Sequence, residues 1–209
     1  MIRAIAYASC YVYSPTGAGA VCERSRLLRA LLKAGDASFM LKYALRVRQQ
    51  AEDSTLLAGF FDAADVLVPV PGCAPYMPGD PWAADHLSVA LVGAGLGGAA
   101  WSGLRRVRAV PKSATAAPGE RPTVSLHYES FIVERPSISP KRIVLIDDVV
   151  TKGRTLLAAA SRVHEAFPSA QLRAFALVRT MGLISGVQKL LDPCKGEIRW
   201  RFGDACRRP

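Results

Sequence analysis

The stretch Val144-Leu145-Ile146-Asp147-Asp148-Val149-Val150-Thr151-Lys152-Gly153-Arg154-Thr155 brings three kinds of chemistry close together. Its two adjacent carboxylates follow a continuous apolar run, Arg142 to Ile146, of the kind that forms a strand covered on both faces. Asp147 and Asp148 then fall at the C-terminal edge of a sheet, where open α/β sheets bind ligands. Two apolar residues later, a short hydroxyl-rich loop with a glycine opens a helix whose apolar stripe is Leu156, Ala159, Ala160, Val163 and Phe167. Backbone N–H groups at such a helix start, with the hydroxyls of Thr151 and Thr155, form a phosphate cradle reinforced by the helix dipole. Carboxylates facing sugar hydroxyls, beside amides facing a phosphate, describe a site for a ribose phosphate. The plainer alternative is a pair of acids that merely cap the helix. It would suffice for a lone Asp-Asp, but not for the whole pattern.

The elements that must position these groups follow from spacing. Pro168 ends the helix and Leu172 to Val178 supplies another buried strand, completing a βαβ unit and implying a parallel sheet with covering helices. Upstream, Asp65 to Pro71 (DVLVPVP) reads as a short strand running into a rigid loop, and the Gly- and Pro-rich 73–81 region is that loop. Leu87, Ala90, Leu91 and Ala94 recur at helical intervals within Trp82 to Leu96. Ile2 to Tyr13 is strand-like. Helical patterns follow over Glu23 to Lys33 and Met40 to Gln50, whose charges read either as a solvated face or as a nucleic-acid surface. A basic run, Arg105-Arg106-Val107-Arg108 with Lys112, leads into a polar stretch to Pro122 that is long for an ordinary connection, hence functional or disordered. The division expected is an N-terminal strand and helical extension over 1–64, an α/β core over 65–182, and a C-terminal helix with a basic tail over 183–209.

The chain has 209 residues, half of them hydrophobic and 21% charged, which describes a folded domain and not a disordered one. Lys and Arg outnumber Asp and Glu by 27 to 17, for a net charge of +10. Such a surplus suggests an anionic partner: nucleic acid, a membrane surface or a phosphorylated small molecule. No apolar stretch has the length of a membrane span, and Met1 to Cys10 makes a poor signal peptide, so a membrane partner is not expected. Cys10, Cys22, Cys73, Cys194 and Cys206 form no C-x-x-C pair, which argues against a zinc site, and an odd count of thiols suits a reducing cytoplasm. There is no G-x-x-x-x-G-K-[ST] phosphate loop. His86, His127 and His164 read as ordinary surface or core residues, and none is an evident general base.

The segment from Val144 to Thr155 resembles the phosphoribosyl-pyrophosphate (PRPP) signature of type I phosphoribosyltransferases. DVLVPVP, the basic Leu104 to Lys112 segment, Arg121, and the strand ending Leu177-Val178-Arg179-Thr180 narrow the resemblance to the ComF-like group, often labelled amidophosphoribosyltransferase-like. It covers roughly residues 65–182. The resemblance implies an α/β fold with a parallel sheet flanked by helices and a small hood. It also implies transfer of ribose 5-phosphate from PRPP to a nitrogen acceptor, with release of pyrophosphate. By the same resemblance Asp147 and Asp148 hold the ribose hydroxyls and, through water, Mg²⁺. Thr151, Lys152, Gly153, Arg154 and Thr155 hold the 5′-phosphate, and Pro69, Val70 and Pro71 meet pyrophosphate. Arg105, Arg106 and Lys112 of the hood either neutralise the leaving group or form a solvated run.

The departures are specific. The group's N-terminal zinc-binding cysteine module is missing, and so is its Gly-Phe-Asn-Gln segment after VPVP. No Lys or Arg occurs from Gly72 to Gly103, where cations usually meet pyrophosphate. That gap favours binding over turnover. It keeps a second expectation open, a non-catalytic component of a nucleic-acid complex (DNA uptake or bacterial defence) that binds single strands or a nucleoprotein partner. A homo-oligomer is the remaining candidate assembly.

Overall fold

A computed structural model describes residues 1–53, 55–112, 120–134, 139–182 and 186–209. Its centre is a seven-stranded sheet ordered β3-β2-β6-β7-β1-β8-β9. The strands are β1 (Ala4–Tyr13), β2 (Val66–Pro69), β3 (Ala99–Ala100), β6 (Arg142–Val150), β7 (Gln171–Thr180), β8 (Leu191–Arg201) and β9 (Asp204–Arg208). The first five places in that order pair in parallel, and β8 and β9 add an antiparallel hairpin on the far side of β1.

The helices α1 (Ala20–Ala34), α2 (Ala37–Asp53) and α3 (Ala83–Gly93) cover one face, and α4 (Val124–Ser130) and α5 (Arg154–Ala166) cover the other. Alternation along β6 produces this division: Ile143 and Leu145 join the α5 side, while Val144 and Ile146 join the α3 side. A strand apolar on both faces is therefore sandwiched between two helical layers. A small antiparallel pair joins β4 (Leu104–Arg106) to β5 (Phe131–Val133), which follows directly on α4 in the chain. No helix among the described residues is long and apolar enough to cross a membrane.

Counted from β2, the strands β2, β3, β6 and β7 lie in the order 2-1-3-4 of doubly wound sheets. From β2 the chain passes through α3 to the outer β3; from β6 it passes through α5, on the opposite face, to β7. The C-terminal ends of the paired β2 and β6 therefore open onto a crevice.

Three expectations are corrected. First, β1 is not an extension, because it lies between β7 and β8 and is buried along most of its length. Second, residues 191–208 form two strands rather than a helix. Phe202 and Gly203, both at positive φ (50° and 74°), make the two-residue turn, and Gly196 lets β9 approach where a Cβ would collide with the Arg208 carbonyl oxygen. Cys194 and Ile198 face the core while the basic residues point outward, so the charges hid a strand pattern. Third, β6 does not stop at the acids; its ladder to β7 continues through Val149 and Val150. The long polar stretch that ends at Pro122 falls largely at 113–119, outside the described residues, and so does part of 183–209.

Candidate functional site

Asp147 and Asp148 sit at the crevice between β2 and β6, where Val70 donates its N–H to the Ile146 carbonyl at 2.8 Å and the chain turns away at Pro71. A cavity of about 260 Å³ lies here, walled by Val70, Pro71, Tyr76, Trp82, the two aspartates and Lys33. Trp82 is fixed by its indole N–H, which donates to the Val70 carbonyl at 3.2 Å, and its ring lies 5.5 Å from that of Tyr76. The Gly- and Pro-rich loop thus supplies an aromatic wall where the ComF-like pattern would supply cations.

Lys33, in the last turn of α1, forms an ion pair with Asp148 Oδ2. Burial pushes the Asp148 carboxyl upward, but the Lys33 charge and hydrogen bond outweigh it and hold the group below the ordinary range. Asp147 goes the other way. Burial first, and the Asp148 charge second, push it well above the usual carboxylate range. The two carboxyls are thus pushed in opposite directions, and side by side they offer a suitable pair for two neighbouring hydroxyls. The Asp148 N–H donates to Asp147 Oδ1 at 2.9 Å and fixes their relative orientation.

The 151–155 loop begins α5 as expected, but its side chains serve other contacts. Gly153 caps the helix at φ 87°, and a Cβ there would lie 2.7 Å from Ile198, so the position needs glycine for both conformation and space. Arg154 grips both oxygens of Asp204 in β9, and Lys152 reaches the same carboxylate at 3.3 Å. The Arg154 hydrogen bonds are the main cause holding the Asp204 carboxyl at about 2. Thr151 shares a hydrogen bond with Thr180 at 3.0 Å, and Thr155 one with His127 at 3.4 Å. None of residues 151–155 lines the aspartate cavity. Lys152 and Arg154, expected at a phosphate, fasten the C-terminal hairpin to α5.

The basic run divides as well. Arg106 is buried, 4% exposed, with its guanidinium stacked 4.2 Å from the Phe131 ring centre. It donates to the carbonyls of Pro71 and Gly72, to Ser130 Oγ and to His127 Nδ1. No carboxylate among the described residues pairs with it, and burial pulls its pKa down to about 10. Arg105 pairs loosely with Glu134 at 3.6 Å and lines a neighbouring hollow that shares Pro71, Tyr76 and Trp82 with the cavity. Lys112 is exposed just before the undescribed 113–119 residues.

Sequence reasoning did not find Lys33, Tyr76, Trp82 or the role of His127. His127 is 3% exposed; burial, then the charges of Arg106 and Arg154, depress its pKa from 6.5 to about 4. It is therefore neutral, with Nδ1 accepting from Arg106 and Nε2–H donating to Thr155. A depressed folded-state pKa leaves stability intact above 6.5 and removes it as pH falls through about 4. Protonation is expected to cost about 3 kcal/mol across that window. Urea unfolding at stepped pH should show the loss in wild type and a flatter profile in His127→Gln; parallel profiles would refute it.

A divalent cation fits the carboxylate pair poorly. Asp148 Oδ2 already faces the Lys33 ammonium, and no group of three His, Cys, Asp or Glu residues suited to a metal occurs among the described residues. No family model matches the sequence, and no curated protein matches it.

Proposed function

We propose that the crevice between β2 and β6 binds a phosphorylated ribose, PRPP or a simpler ribose phosphate, and that the chain is a phosphoribosyltransferase-like protein. The observation that carries this reading is the position of the Asp147–Asp148 pair in a cavity at the reversal point of a doubly wound sheet, one helix start away from a glycine-capped loop. In this reading the two carboxyl groups hold the ribose hydroxyls. Backbone amides at the start of α5, with the Thr151 and Thr155 hydroxyls, take the 5′-phosphate. Pro69, Val70 and Pro71 border the pyrophosphate side, with Arg105 and Lys112 as the hood's cations. In turnover the bond from ribose C1 to pyrophosphate breaks, a C1–N bond forms, and the acceptor nitrogen loses a proton. Orientation and charge stabilisation supply the catalysis.

The nucleic-acid alternative draws on the +10 charge. Within the 105–112 run, Arg106 is engaged in internal contacts and is not offered to such a partner. Five free thiols suit a reducing compartment.

Calorimetric titration with ribose 5-phosphate and with PRPP tests the reading. Asp147→Asn/Asp148→Asn is expected to weaken binding at least about tenfold, the scale of losing charged hydrogen bonds to the sugar. Equal affinity in wild type and double variant, or no binding of either compound by wild type, would overturn it.

A further inference from the structure

We propose that the Lys33 ammonium is the built-in cation of this site, occupying the position beside Asp148 that a divalent metal would need, so that the ribose phosphate is held without one. The identity of the ligand rests on the reading above; the identity of the cation does not.

The fold places Lys33 with care. Leu32 beside it is fully buried, and Gly35 ends α1 in the left-handed conformation at φ 75°, its N–H returning to the Leu32 carbonyl. His86 of α3 donates from Nδ1 to the Gly35 carbonyl at 2.7 Å, and a Cβ on Gly35 would lie 2.9 Å from that ring nitrogen. The end of α1 is thus pinned to α3, whose start carries Trp82 of the cavity wall.

The exposures are unequal in an informative way. The Asp148 side chain is 8% exposed, while that of Lys33 is 51% exposed and lines the cavity. An ammonium has three donors. The ion pair with Asp148 leaves capacity for further acceptors, and the half-exposed side chain lines the cavity a ligand would fill.

The same residue answers the cation gap in the sequence. No Lys or Arg occurs from Gly72 to Gly103, and the positive charge at the cavity arrives instead from α1. Arg106 adds a second fixed charge behind the Pro71–Gly72 carbonyls. A dication approaching the aspartates meets one carboxylate already neutralised and two positive side chains nearby, an arrangement that opposes its binding.

The test measures metal and ligand separately. Mn²⁺ uptake is followed by electron paramagnetic resonance on ligand-free wild type, Lys33→Met and Lys33→Met/Asp148→Asn, with circular dichroism to confirm folding. Wild type is expected to leave Mn²⁺ free, Lys33→Met to bind it at least about tenfold more tightly, and the double variant to lose that gain. Ribose 5-phosphate affinity of wild type should be the same in EDTA as in Mg²⁺. Stoichiometric Mn²⁺ binding by wild type that Asp148→Asn abolishes would overturn the proposal. So would a folded Lys33→Met that gains none, or a wild-type affinity that collapses in EDTA. Should Lys33→Met fail to fold, the two wild-type measurements decide alone. Absence of ribose 5-phosphate binding under every condition would refute the ligand reading and leave the Mn²⁺ result to judge the cation.

Discussion

Asp65→Ala is expected to lower the unfolding free energy by about 3 kcal/mol, at the low end of the range for breaking a buried ion pair. Asp65 is fully buried immediately before β2, at the end of that strand away from the cavity. Its Oδ1 accepts from Arg142 Nε at 2.9 Å and from Arg173 Nη2 at 2.6 Å, and its Oδ2 accepts the Asp62 N–H at 2.8 Å. Removing the carboxylate leaves two guanidinium groups from adjacent strands without the charge that holds them together. Both side chains keep partial access to water, 31% and 17%, which limits the penalty. For a domain of this size the melting temperature should fall by about 6–12 °C. Ribose 5-phosphate affinity below the transition should be unchanged. A shift under about 2 °C would show that the arginines resolvate freely and that the network contributes little.

Arg106→Leu is expected to disturb both stability and binding, which separates it from Asp65→Ala. The guanidinium joins the Pro71–Gly72 carbonyls at the cavity rim to Ser130 and His127 of α4. Leucine fills part of the volume over Phe131 but leaves those acceptors without donors, at a cost of about 3 kcal/mol. The rim loop is also freed, so ribose 5-phosphate affinity should fall about tenfold. Arg106→Lys should recover little of it, since a single ammonium cannot replace a planar fork that serves four partners. Denaturant titration and calorimetry on the three proteins would check this; full recovery of affinity by lysine would refute the bracing role.

The parts of the molecule legible in the sequence are those written locally. Strand β6, helix α5 and strand β7 follow from an apolar run, a glycine-opened stripe and Pro168, and all three stand where expected to within a few residues. The acids were readable as a pair toward the C-terminal end of that first strand for the same reason. What escaped depends on contacts between distant residues. Lys33 is an ordinary helix lysine until folding brings Asp148 to it. Lys152 and Arg154 read as phosphate ligands because Asp204, which engages them, arrives only with the C-terminal hairpin. That hairpin was hidden in turn, since its buried Cys194 and Ile198 are separated by exposed charges and its turn is Phe-Gly rather than Asn-Gly. The surplus charge is legible only as a sum. A count cannot show which arginines end inside the fold.

The place of β1 has a consequence for how the protein is made. Its residues pair with Arg173–Thr180 on one side and with Leu191–Arg199 on the other, so the first of these strands to leave a ribosome waits for the last of them. At about 5–20 residues per second, that wait is about 10–40 s. For most of it, until β7 emerges, Tyr7, Cys10 and Val12 have neither neighbouring strand, although all three end fully enclosed. A chain halted before Leu191 would carry β1 with one edge bare, a template for pairing with another nascent copy. Completion of the sheet therefore waits on the hairpin, and premature termination within it should be read out as aggregation rather than as a smaller folded protein.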